Sequence, residues 1–285
     1  MWLAENWRDY EVLDASDGEK LERWGDIILI RPDPTVIWTK NRDAKLWGRA
    51  DARYTRSKSG GGSWDRFARD TFFVSYGELR FRLKQFGFKH TGLFPEQAVN
   101  WDWFMPLIKN AGRPVRVLNL FAYTGGATMA AAKAGASVCH VDAAKGMVSW
   151  AKDNAAACGL TDAPIRYIVD DCIKFIKREI RRGSRYDAVI MDPPSYGRGP
   201  DGEVFKIEDR LYELCELSES LLSDEPLFFL VNSYTSVLGP ALIENILKLT
   251  VTKKRGGRVF SREIGLPVKS ADIVLPCGTA GRVEF

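Results

Sequence analysis

The residues with the clearest chemical potential form the segment Asn119–Leu120–Phe121–Ala122–Tyr123–Thr124–Gly125–Gly126, which links an apolar run to an alanine-rich run. A glycine-bearing turn between a strand and a helix lets the backbone approach a ligand closely. Exposed N–H groups at the helix start favour an anionic group such as a carboxylate or phosphate. The segment lacks the three glycines of G-x-G-x-x-G, which makes an NAD-linked oxidoreductase the least favoured enzyme class.

Acidic residues stand at the ends of the next two predicted strands. Asp142 lies sixteen residues after Gly126, where its carboxylate could accept hydrogen bonds from both ribose hydroxyls or could cap the following helix. Asp170 and Asp171 end the third strand, and one of them could bond an adenine amino group while the other caps a helix. These residues predict a nucleoside-binding edge, with helix capping as the open alternative.

The fourth predicted strand ends in Asp192–Pro193–Pro194–Ser195–Tyr196. Two consecutive prolines remove backbone donors and fix φ, so this turn holds the Asp192 carboxylate and the carbonyls rigidly and leaves Tyr196 free to stack. Rigidity suits methyl transfer, which depends on holding an acceptor atom in line with the methyl group. Residues 197–202 are predicted to form a mobile substrate loop, with Arg198 near a phosphate or base. A structural turn alone explains the prolines but not the whole set of strand ends.

These residues need a framework that brings strand ends to one edge, and the rest of the sequence predicts an α/β fold. Apolar runs near 115–120, 136–141, 165–169, 186–191 and 227–233 alternate with helical stretches near 125–134, 143–157, 171–182, 204–222 and 239–251. This alternation is typical of βαβ units around a parallel sheet. We expect a helix over 95–110 before them, and strands over 257–264 and 278–285 as a hairpin at one sheet edge.

The first ninety or so residues predict a small antiparallel β domain, with strands over 26–31, 35–38, 71–76 and 79–85 and a flexible tip at 57–63. We therefore divide the chain into residues 1–91, a possible RNA-binding or lid domain, and residues 92–285, the catalytic domain. From Lys40 to Thr91, thirteen Lys or Arg stand against five Asp or Glu. Basic groups and aromatic faces suit RNA, although a solvated basic surface over a small aromatic core is equally compatible. The aromatic residues of this segment include Trp47, Tyr54, Trp64, Phe67, Phe72, Phe73 and Tyr76.

Composition narrows the chemistry further. The five cysteines are widely spaced and there are only two histidines, so we expect neither a disulfide framework nor a metal site. His140 lies in an apolar strand pattern and is interpreted as a core residue. No apolar run approaches the roughly 20 residues that span a bilayer, and a cytoplasmic location is expected. Catalysis should rest on carboxylates, backbone groups and a cofactor.

The segments NLFAYTGG, VDAA, VDDC and DPPSYGRG, in that order and spacing, resemble the class I S-adenosylmethionine (SAM)-dependent methyltransferases. More narrowly, they resemble a bacterial family related to large-subunit ribosomal RNA methyltransferases that modify cytosine C5 or guanine. The resemblance covers residues 92–285. It implies a Rossmann-like domain with a mostly parallel seven-stranded sheet and a C-terminal antiparallel hairpin, a preceding small β domain, SAM as cofactor and ribosomal RNA as substrate.

The same resemblance assigns roles to residues. It implies that residues 119–126 line the methionine side of SAM, that Asp142 holds the ribose and that Asp171 or Asp170 contacts the adenine. Residues 192–196 would face the acceptor base, with Asp192 also beside the cofactor. The lead-in Gly92–Leu93–Phe94–Pro95–Glu96–Gln97 is similar to the family's F-x-x-Q motif, which implies that Phe94 and Gln97 lie over the cofactor.

One departure from the family bears on the acceptor atom. Cytosine-C5 enzymes need a cysteine thiolate that adds to the base, but neither residues 230–235 nor residues 192–196 contain cysteine. Asp-Pro-Pro followed by an aromatic residue resembles the loop of aminomethyltransferases, which favours a guanine nitrogen in an unpaired or flipped base. Two alternatives stay open: a methyltransferase acting on a protein or small molecule, and a noncatalytic RNA-binding protein that retains SAM.

Overall fold

The structure is a computed structural model that describes residues 1–57, 61–198 and 204–285, without the side chain of Arg198. The chain divides into two compact units. The larger unit comprises Met1–Trp2, Asn100–Ile264 and Gly278–Phe285, and the smaller unit comprises Leu3–Val99 and Gly265–Cys277. The functional domains 1–91 and 92–285 remain a proposal.

The strands of the first hundred residues are β1 (Trp2–Leu3), β2 (Tyr10–Ser16), β3 (Glu19–Trp24), β4 (Ile27–Pro32), β5 (Ala52–Arg56), β6 (Gly62–Trp64), β7 (Phe72–Tyr76) and β8 (Leu79–Leu83). The later strands are β9 (Arg116–Leu120), β10 (Ser137–Asp142), β11 (Ile165–Val169), β12 (Ala188–Met191), β13 (Tyr196–Arg198), β14 (Val204–Lys206), β15 (Phe228–Ser233), β16 (Arg258–Val268) and β17 (Ile273–Glu284). The helices are α1 (Ala44–Trp47), α2 (Ala98–Lys109), α3 (Gly126–Lys133), α4 (Lys145–Ala157), α5 (Cys172–Arg181), α6 (Ile207–Glu219), α7 (Pro240–Thr250) and α8 (Thr252–Arg255), and a short 3₁₀ helix covers Pro95–Gln97.

The sheet of the larger unit confirms the predicted fold class. Its strand order is β11-β10-β9-β12-β15-β17-β16. The first five strands pair in parallel, and β17 pairs antiparallel with β15. The chain runs outward from β9 to β10 and β11 and then returns to β12 on the other side of β9. Ligands of such sheets bind beyond the carboxyl ends of the strands at this reversal point.

Burial on the two faces of this sheet explains which side chains reach its edge. The central strands β12 and β15 are buried along their whole length, as expected for parallel strands covered by helices. Met191 and Val231 belong to the core that α5, α6 and α7 cover on one face. Because side chains alternate along a strand, Asp192 and Asn232, one position further on, belong to the opposite face.

The smaller unit is built mainly from antiparallel strands, as predicted. Strands β2, β3 and β4 pair antiparallel in sequence, β5 joins β4 in parallel, and β7 and β8 form a separate hairpin. Val268 of β16 pairs with Val12 of β2. The strand predicted over 35–38 is wrong, because Asp33 accepts hydrogen bonds from the Thr35 N–H and hydroxyl and turns the chain there.

One helix boundary in the larger unit also differs from expectation. The helix predicted from residue 204 begins at Ile207, because Val204–Lys206 pairs with Tyr196–Arg198 as the β13–β14 hairpin. Of the predicted mobile loop, residues 199–202 lie outside the described residues, as do residues 58–60 of the predicted flexible tip. In the described ranges, no helix is both long enough and apolar enough to span a membrane.

Candidate functional site

The segment after β9 follows a partly left-handed path. Phe121, Tyr123 and Gly125 have φ values of 54°, 50° and 87°. Such values are rare for residues with a side chain, and they persist where surrounding contacts hold them, often at ligand sites. Here the Ala122 N–H donates to the Val141 carbonyl at 3.0 Å, and the Gly125 N–H donates to the Ala122 carbonyl at 2.9 Å. The loop is therefore fixed by backbone hydrogen bonds before any ligand arrives.

Gly125 allows the start of α3 to pack closely. It is the N-cap of that helix, and no side chain caps the helix. A Cβ at this position would lie 3.1 Å from Ala151 Cβ and 3.2 Å from Met129 Cε. The first N–H groups of α3 consequently remain for an anionic group of a ligand.

Asp142, at the end of β10, contacts the loops on both sides of it. Its Oδ2 accepts from the Tyr123 N–H and its Oδ1 accepts from the Ala144 N–H, both at 2.8 Å. Burial raises the pKa of this carboxyl, while the two backbone hydrogen bonds act in the opposite direction. The N-cap of α4 is Ala144, so Asp142 does not occupy the capping position. Each carboxylate oxygen has a second lone pair, which can accept from a ribose hydroxyl.

Asn119 supports the loop from within the core. Its side chain is buried, and Nδ2 donates to Thr128 Oγ1 at 2.9 Å. Thr128 Oγ1 in turn lies 2.9 Å from His140 Nδ1. Burial lowers the pKa of His140 to about 4, so this histidine is neutral near pH 7. The structure places His140 in the core, as predicted, and directs the Asn119 amide toward it.

The two aspartates after β11 differ in their contacts. Asp171 is the N-cap of α5, and its Oδ1 accepts from the Lys174 N–H at 2.8 Å. Asp170 forms an ion pair with Arg178, and its N–H donates to the Asp142 carbonyl at 3.1 Å. The capping role foreseen for one member of the pair therefore falls to Asp171.

The turn after β12 is tied to the end of β9. The Asp192 N–H donates to the Leu120 carbonyl at 3.4 Å. Pro193 is buried, whereas Pro194 is exposed. The hydrogen bond to Leu120 holds the backbone of Asp192 at the end of β9, next to the segment that follows this strand.

The next residues connect this turn to the loop after β15. The Thr235 hydroxyl donates to Ser195 Oγ at 2.8 Å, and the Ser195 carbonyl accepts from the Ile207 N–H at 3.2 Å. Tyr196 pairs with Lys206 in the β13–β14 hairpin, and 51% of its surface is exposed. An aromatic ring in this position has the exposure that stacking on a base requires.

Parallel pairing brings most of the predicted residues to one sheet edge. Leu120 is in register with Val141 on one side and with Met191 on the other. The segments 119–126, 142, 170–171 and 192–196 therefore follow neighbouring strand ends. Phe94 and Gln97 belong to the smaller unit, where the Gln97 N–H donates to the Phe94 carbonyl at 3.1 Å. Among the described residues, no group of three or more His, Cys, Asp or Glu side chains is arranged to hold a metal ion.

This donor and acceptor set fits SAM: N–H groups at a helix start for a carboxylate, Asp142 for a ribose, and a further acidic pair at the next strand end. The model of the family described as "S-adenosylmethionine-dependent methyltransferase" matches residues 51–251. The chain belongs to this family. SAM is the cofactor of this methyltransferase, and when bound it supplies an activated methyl group on a sulfonium centre.

Solved structures share the architecture of this methyltransferase. A SAM-dependent methyltransferase from Agrobacterium tumefaciens is 36% identical, with a TM-score of 0.93 over 99% of this chain and 92% of that chain. A putative methyltransferase complexed with S-adenosylhomocysteine is 19% identical, with a TM-score of 0.76 over 99% of this chain and 76% of that chain. The first supports family membership and the second supports the fold.

Curated relatives carry a more specific name. "Ribosomal RNA large subunit methyltransferase K/L" of Shewanella sp. (strain W3-18-1) is 32% identical over 239 residues, which cover 81% of this methyltransferase and 31% of the relative. The protein of the same name from Shewanella frigidimarina (strain NCIMB 400) is 37% identical over 122 residues, covering 42% of this chain and 16% of the relative. The chain thus spans less than a third of the length of these relatives.

Burial divides the aromatic residues that were considered for RNA stacking. Five of the seven are buried in the core of the smaller unit: Trp47, Tyr54, Trp64, Phe72 and Tyr76. Phe67 and Phe73 are exposed, at 63% and 40%. The core interpretation therefore holds for most of this set, and stacking on a base is open only to the last two.

Sequence reasoning missed a group of polar residues in the larger unit: Asn100, Asn232 and Arg282, all buried. Asn232 stands in the cysteine-free segment 230–235, but the other two residues are far away in sequence. The only signal was polarity within apolar stretches, which identifies no contact by itself.

Proposed function

We propose that this methyltransferase transfers a methyl group to a guanine nitrogen in ribosomal RNA. The observation that carries this proposal is the similarity of most of the chain to a relative named as a large-subunit ribosomal RNA methyltransferase. Asp142 would hold the ribose of SAM. Asp170, whose carboxylate does not cap a helix, would contact the adenine. Phe94 and Gln97 would lie over the cofactor, as the family motif implies.

The turn after β12 supports a nitrogen acceptor. The Asp192 carboxylate and the carbonyls of Pro193 and Pro194 can accept hydrogen bonds from an amino or ring N–H, and Tyr196 can stack on the same base. Such groups orient the acceptor and exclude water, and positioning of this kind accounts for much of the rate of a bimolecular transfer.

The environments of Cys172 and Cys215 do not suit the covalent addition to a base that methylation of cytosine C5 requires. A nucleophilic thiol needs a low pKa and access to the substrate. Burial raises the pKa of Cys215 inside α6 to about 12. Burial also raises the pKa of Cys172, whose sulfur accepts a hydrogen bond from the Phe121 N–H at 3.2 Å. Neither thiol has the properties of a nucleophile.

The smaller unit offers a surface suited to RNA, which we call the hairpin face and define as Phe73, Ser75, Arg80 and Arg82 of β7 and β8. Phe73 pairs with Arg82 and Ser75 pairs with Arg80, while the other side of both strands is buried. The Arg80 guanidinium lies 4.4 Å from the centre of the Phe73 ring. Cations next to an exposed ring suit a phosphate backbone and an unstacked base.

The experiment that tests this function follows the transfer of radiolabelled methyl from SAM. Purified protein is incubated with total RNA from cells that lack it, with RNA from normal cells, and with protein and small-molecule fractions. Selective label in ribosomal RNA of the deficient cells, mapped to a guanine nitrogen, is the expected result. Label only in protein or small molecules would overturn the RNA proposal, and label on cytosine C5 would overturn the acceptor.

A further inference from the structure

A buried chain of hydrogen bonds ends beside the turn that holds Asp192. Arg282 Nε and Nη2 donate to Asn100 Oδ1 at 3.0 and 2.7 Å. Asn100 Nδ2 donates to Asn232 Oδ1 at 3.0 Å. All three residues are buried, at 6%, 0% and 1% exposure respectively, and all belong to the larger unit. The chain therefore links β17, the start of α2 and the end of β15.

The chemistry of arginine determines the orientation of both amides. A guanidinium has only donors, so the atom of Asn100 that faces Arg282 must be its oxygen. The Asn100 NH₂ group then faces Asn232. The Asn232 oxygen must accept this hydrogen bond, because two NH₂ groups would repel each other. Asn232 is left with its NH₂ group for any further contact. Within the described residues, that NH₂ group has no hydrogen-bond partner.

Arg282 is itself held in place. Its guanidinium carbon lies 3.7 Å from the centre of the Trp2 ring and 4.9 Å from that of Trp103. Burial lowers the pKa of Arg282 to about 9, so the side chain remains a cation at neutral pH. A cation between two rings has few alternative orientations, and the direction of the hydrogen-bond chain is correspondingly fixed.

Sheet register places Asn232 beside Asp192. Met191 of β12 pairs with Val231 of β15. Asn232 is the next residue of β15, and Asp192 directly follows β12. The Asp192 N–H donates to the Leu120 carbonyl and so continues the pairing with β9 by one residue. From the alternation of side chains along extended backbone we infer that Asp192 and Asn232 lie on the same face, opposite the core residues that precede them. An acceptor, the Asp192 carboxylate, and a donor, the Asn232 NH₂ group, thus stand next to each other. Nucleobases that carry an amino group present the complementary pair, an N–H next to a lone pair.

We propose that Asn232 donates a hydrogen bond to the acceptor base next to Asp192, and that Arg282 and Asn100 are positioning residues that keep its amide in the donating orientation. The inference rests on the proposed function in that it takes a base as the acceptor. The inference adds a selectivity: the site prefers a base in which a lone pair lies next to the N–H group that Asp192 binds.

The decisive variant is Asn232→Asp, which has nearly the same shape as the wild-type residue but is a donor only when protonated. The charged groups that the register and the hydrogen bonds place around it are Asp192, which follows β12, and, through Asn100 on α2, Arg282 on β17. Burial and the charge of Asp192 raise the pKa of such a carboxyl. At pH 8 we expect about 30-fold slower transfer than wild type. The transfer rate of the variant divided by that of wild type should rise at least several-fold between pH 8 and pH 5.5. The dissociation constant for SAM, measured by calorimetry, should stay within about threefold of the wild-type value.

A second set of variants tests the positioning residues. Arg282→Met should slow transfer, and Arg282→Lys, which keeps a donor-only cation, should restore part of the rate. Combined with Asn232→Asp, Arg282→Met should cause little further loss, because both changes remove the same donor. Arg255→Met is the matched control. Arg255 binds Glu219 and the carbonyls of Leu222 and Ser223, and its loss should leave the rate per folded molecule unchanged.

All variants are assayed on the RNA, protein and small-molecule fractions of deficient cells in parallel. The inference would be overturned if the transfer rate of Asn232→Asp relative to wild type did not change with pH. A parallel loss of SAM affinity in this variant would also overturn it. So would fully additive losses of rate when Arg282→Met is combined with Asn232→Asp. Label that appears only outside RNA would overturn the proposed function. The pH ratio measured on the labelled fraction would still decide whether Asn232 donates.

Discussion

At the scale of single residues, the proposed function assigns different roles to two aspartates. Asp142 accepts a hydrogen bond from the Tyr123 N–H in the loop after β9 through one oxygen, and from the Ala144 N–H in its own turn through the other. Asp142 ends β10 and Asp192 follows β12, and these two strands flank β9 on opposite sides. Asp192 is followed by two prolines. Their neighbours differ, so substitutions at the two positions should affect different measured quantities.

Asp142→Asn should chiefly weaken cofactor binding. The amide NH₂ group would face a backbone N–H, either of Tyr123 or of Ala144, and the charged acceptor for ribose would be lost. A hydrogen bond to a charged group contributes about 1.5 to 3 kcal/mol. We therefore expect roughly 10- to 100-fold weaker SAM binding in isothermal titration calorimetry, with the rate at saturating SAM reduced only a few-fold.

Asp192→Asn should instead abolish most transfer. Removal of one preorganised hydrogen-bonding group from an active site can cost about 10² to 10³ in rate, and we expect a loss of that size in single-turnover methylation. SAM affinity should change less than about threefold. If the variants at 142 and 192 lost cofactor affinity equally, the division of roles would be wrong.

At the scale of elements, the strands and helices of the larger unit could be predicted within a few residues. Their signals are local: continuous apolar runs, a glycine at the start of α3 and prolines after β12. Strands β2 and β3 escaped prediction because they carry buried charges, Asp14 and Glu22. Their charged contacts, such as Lys40 for Asp14, lie elsewhere in the sequence. The same holds for Asn100 and Arg282, which meet across 182 positions.

The turn between β9 and α3 can be tested with a pair of glycines. Gly125 and Gly135 both have positive φ, but a Cβ at Gly125 would meet Ala151 and Met129, whereas nothing lies within 4 Å at Gly135. Both alanine variants bear the cost of a left-handed backbone at a residue with a side chain, about 1 to 2 kcal/mol. We expect Gly125→Ala to lose at least about 1 kcal/mol more in urea unfolding and to bind SAM more weakly. Equal effects of the two substitutions would mean that close packing at Gly125 is unimportant.

In the smaller unit, Glu22 joins β3 to β4 through a buried ion pair with Arg31, at 2.6 Å. Burial alone would raise the pKa of Glu22, but the charges of Arg31 and Lys20 outweigh it and lower the pKa to about 2. The stability that follows from this lowered pKa is present above about pH 4.5 and is lost as the pH falls toward 2.

Glu22→Gln leaves Arg31 buried without its carboxylate, which costs about 3 to 5 kcal/mol in comparable buried pairs. In urea unfolding at pH 7 the variant should show a loss of this order. The gap between wild type and variant should narrow steadily from pH 4.5 toward pH 2. A gap that is independent of pH would contradict the ion-pair explanation.

At the scale of the whole molecule, charge is distributed unevenly: the net charge is +4, but the segment 40–91 of the smaller unit is strongly basic. On the hairpin face, Arg80→Gln should weaken binding of a single-stranded RNA oligonucleotide and lower the slope of log K against log salt by about 0.7. Arg69→Gln is the control, because Arg69 is an exposed arginine of the same unit that lies outside the hairpin face and pairs with Asp26 at 2.6 Å. Fluorescence anisotropy across a salt series measures both. Equal salt slopes for wild type and Arg80→Gln would show that Arg80 on the hairpin face does not contact the RNA.

The return of residues 265–277 to the smaller unit has a consequence for synthesis on the ribosome. Translation adds about 5 to 20 residues per second, so roughly 10 to 30 s separate the emergence of Val99 from that of Val268. During that interval Val12 lacks its neighbour on β16, and an unpaired strand edge invites pairing with other chains. The nascent chain therefore has a period of exposure in which chaperone binding would have its greatest effect on yield, and slow codons between the two segments would lengthen it.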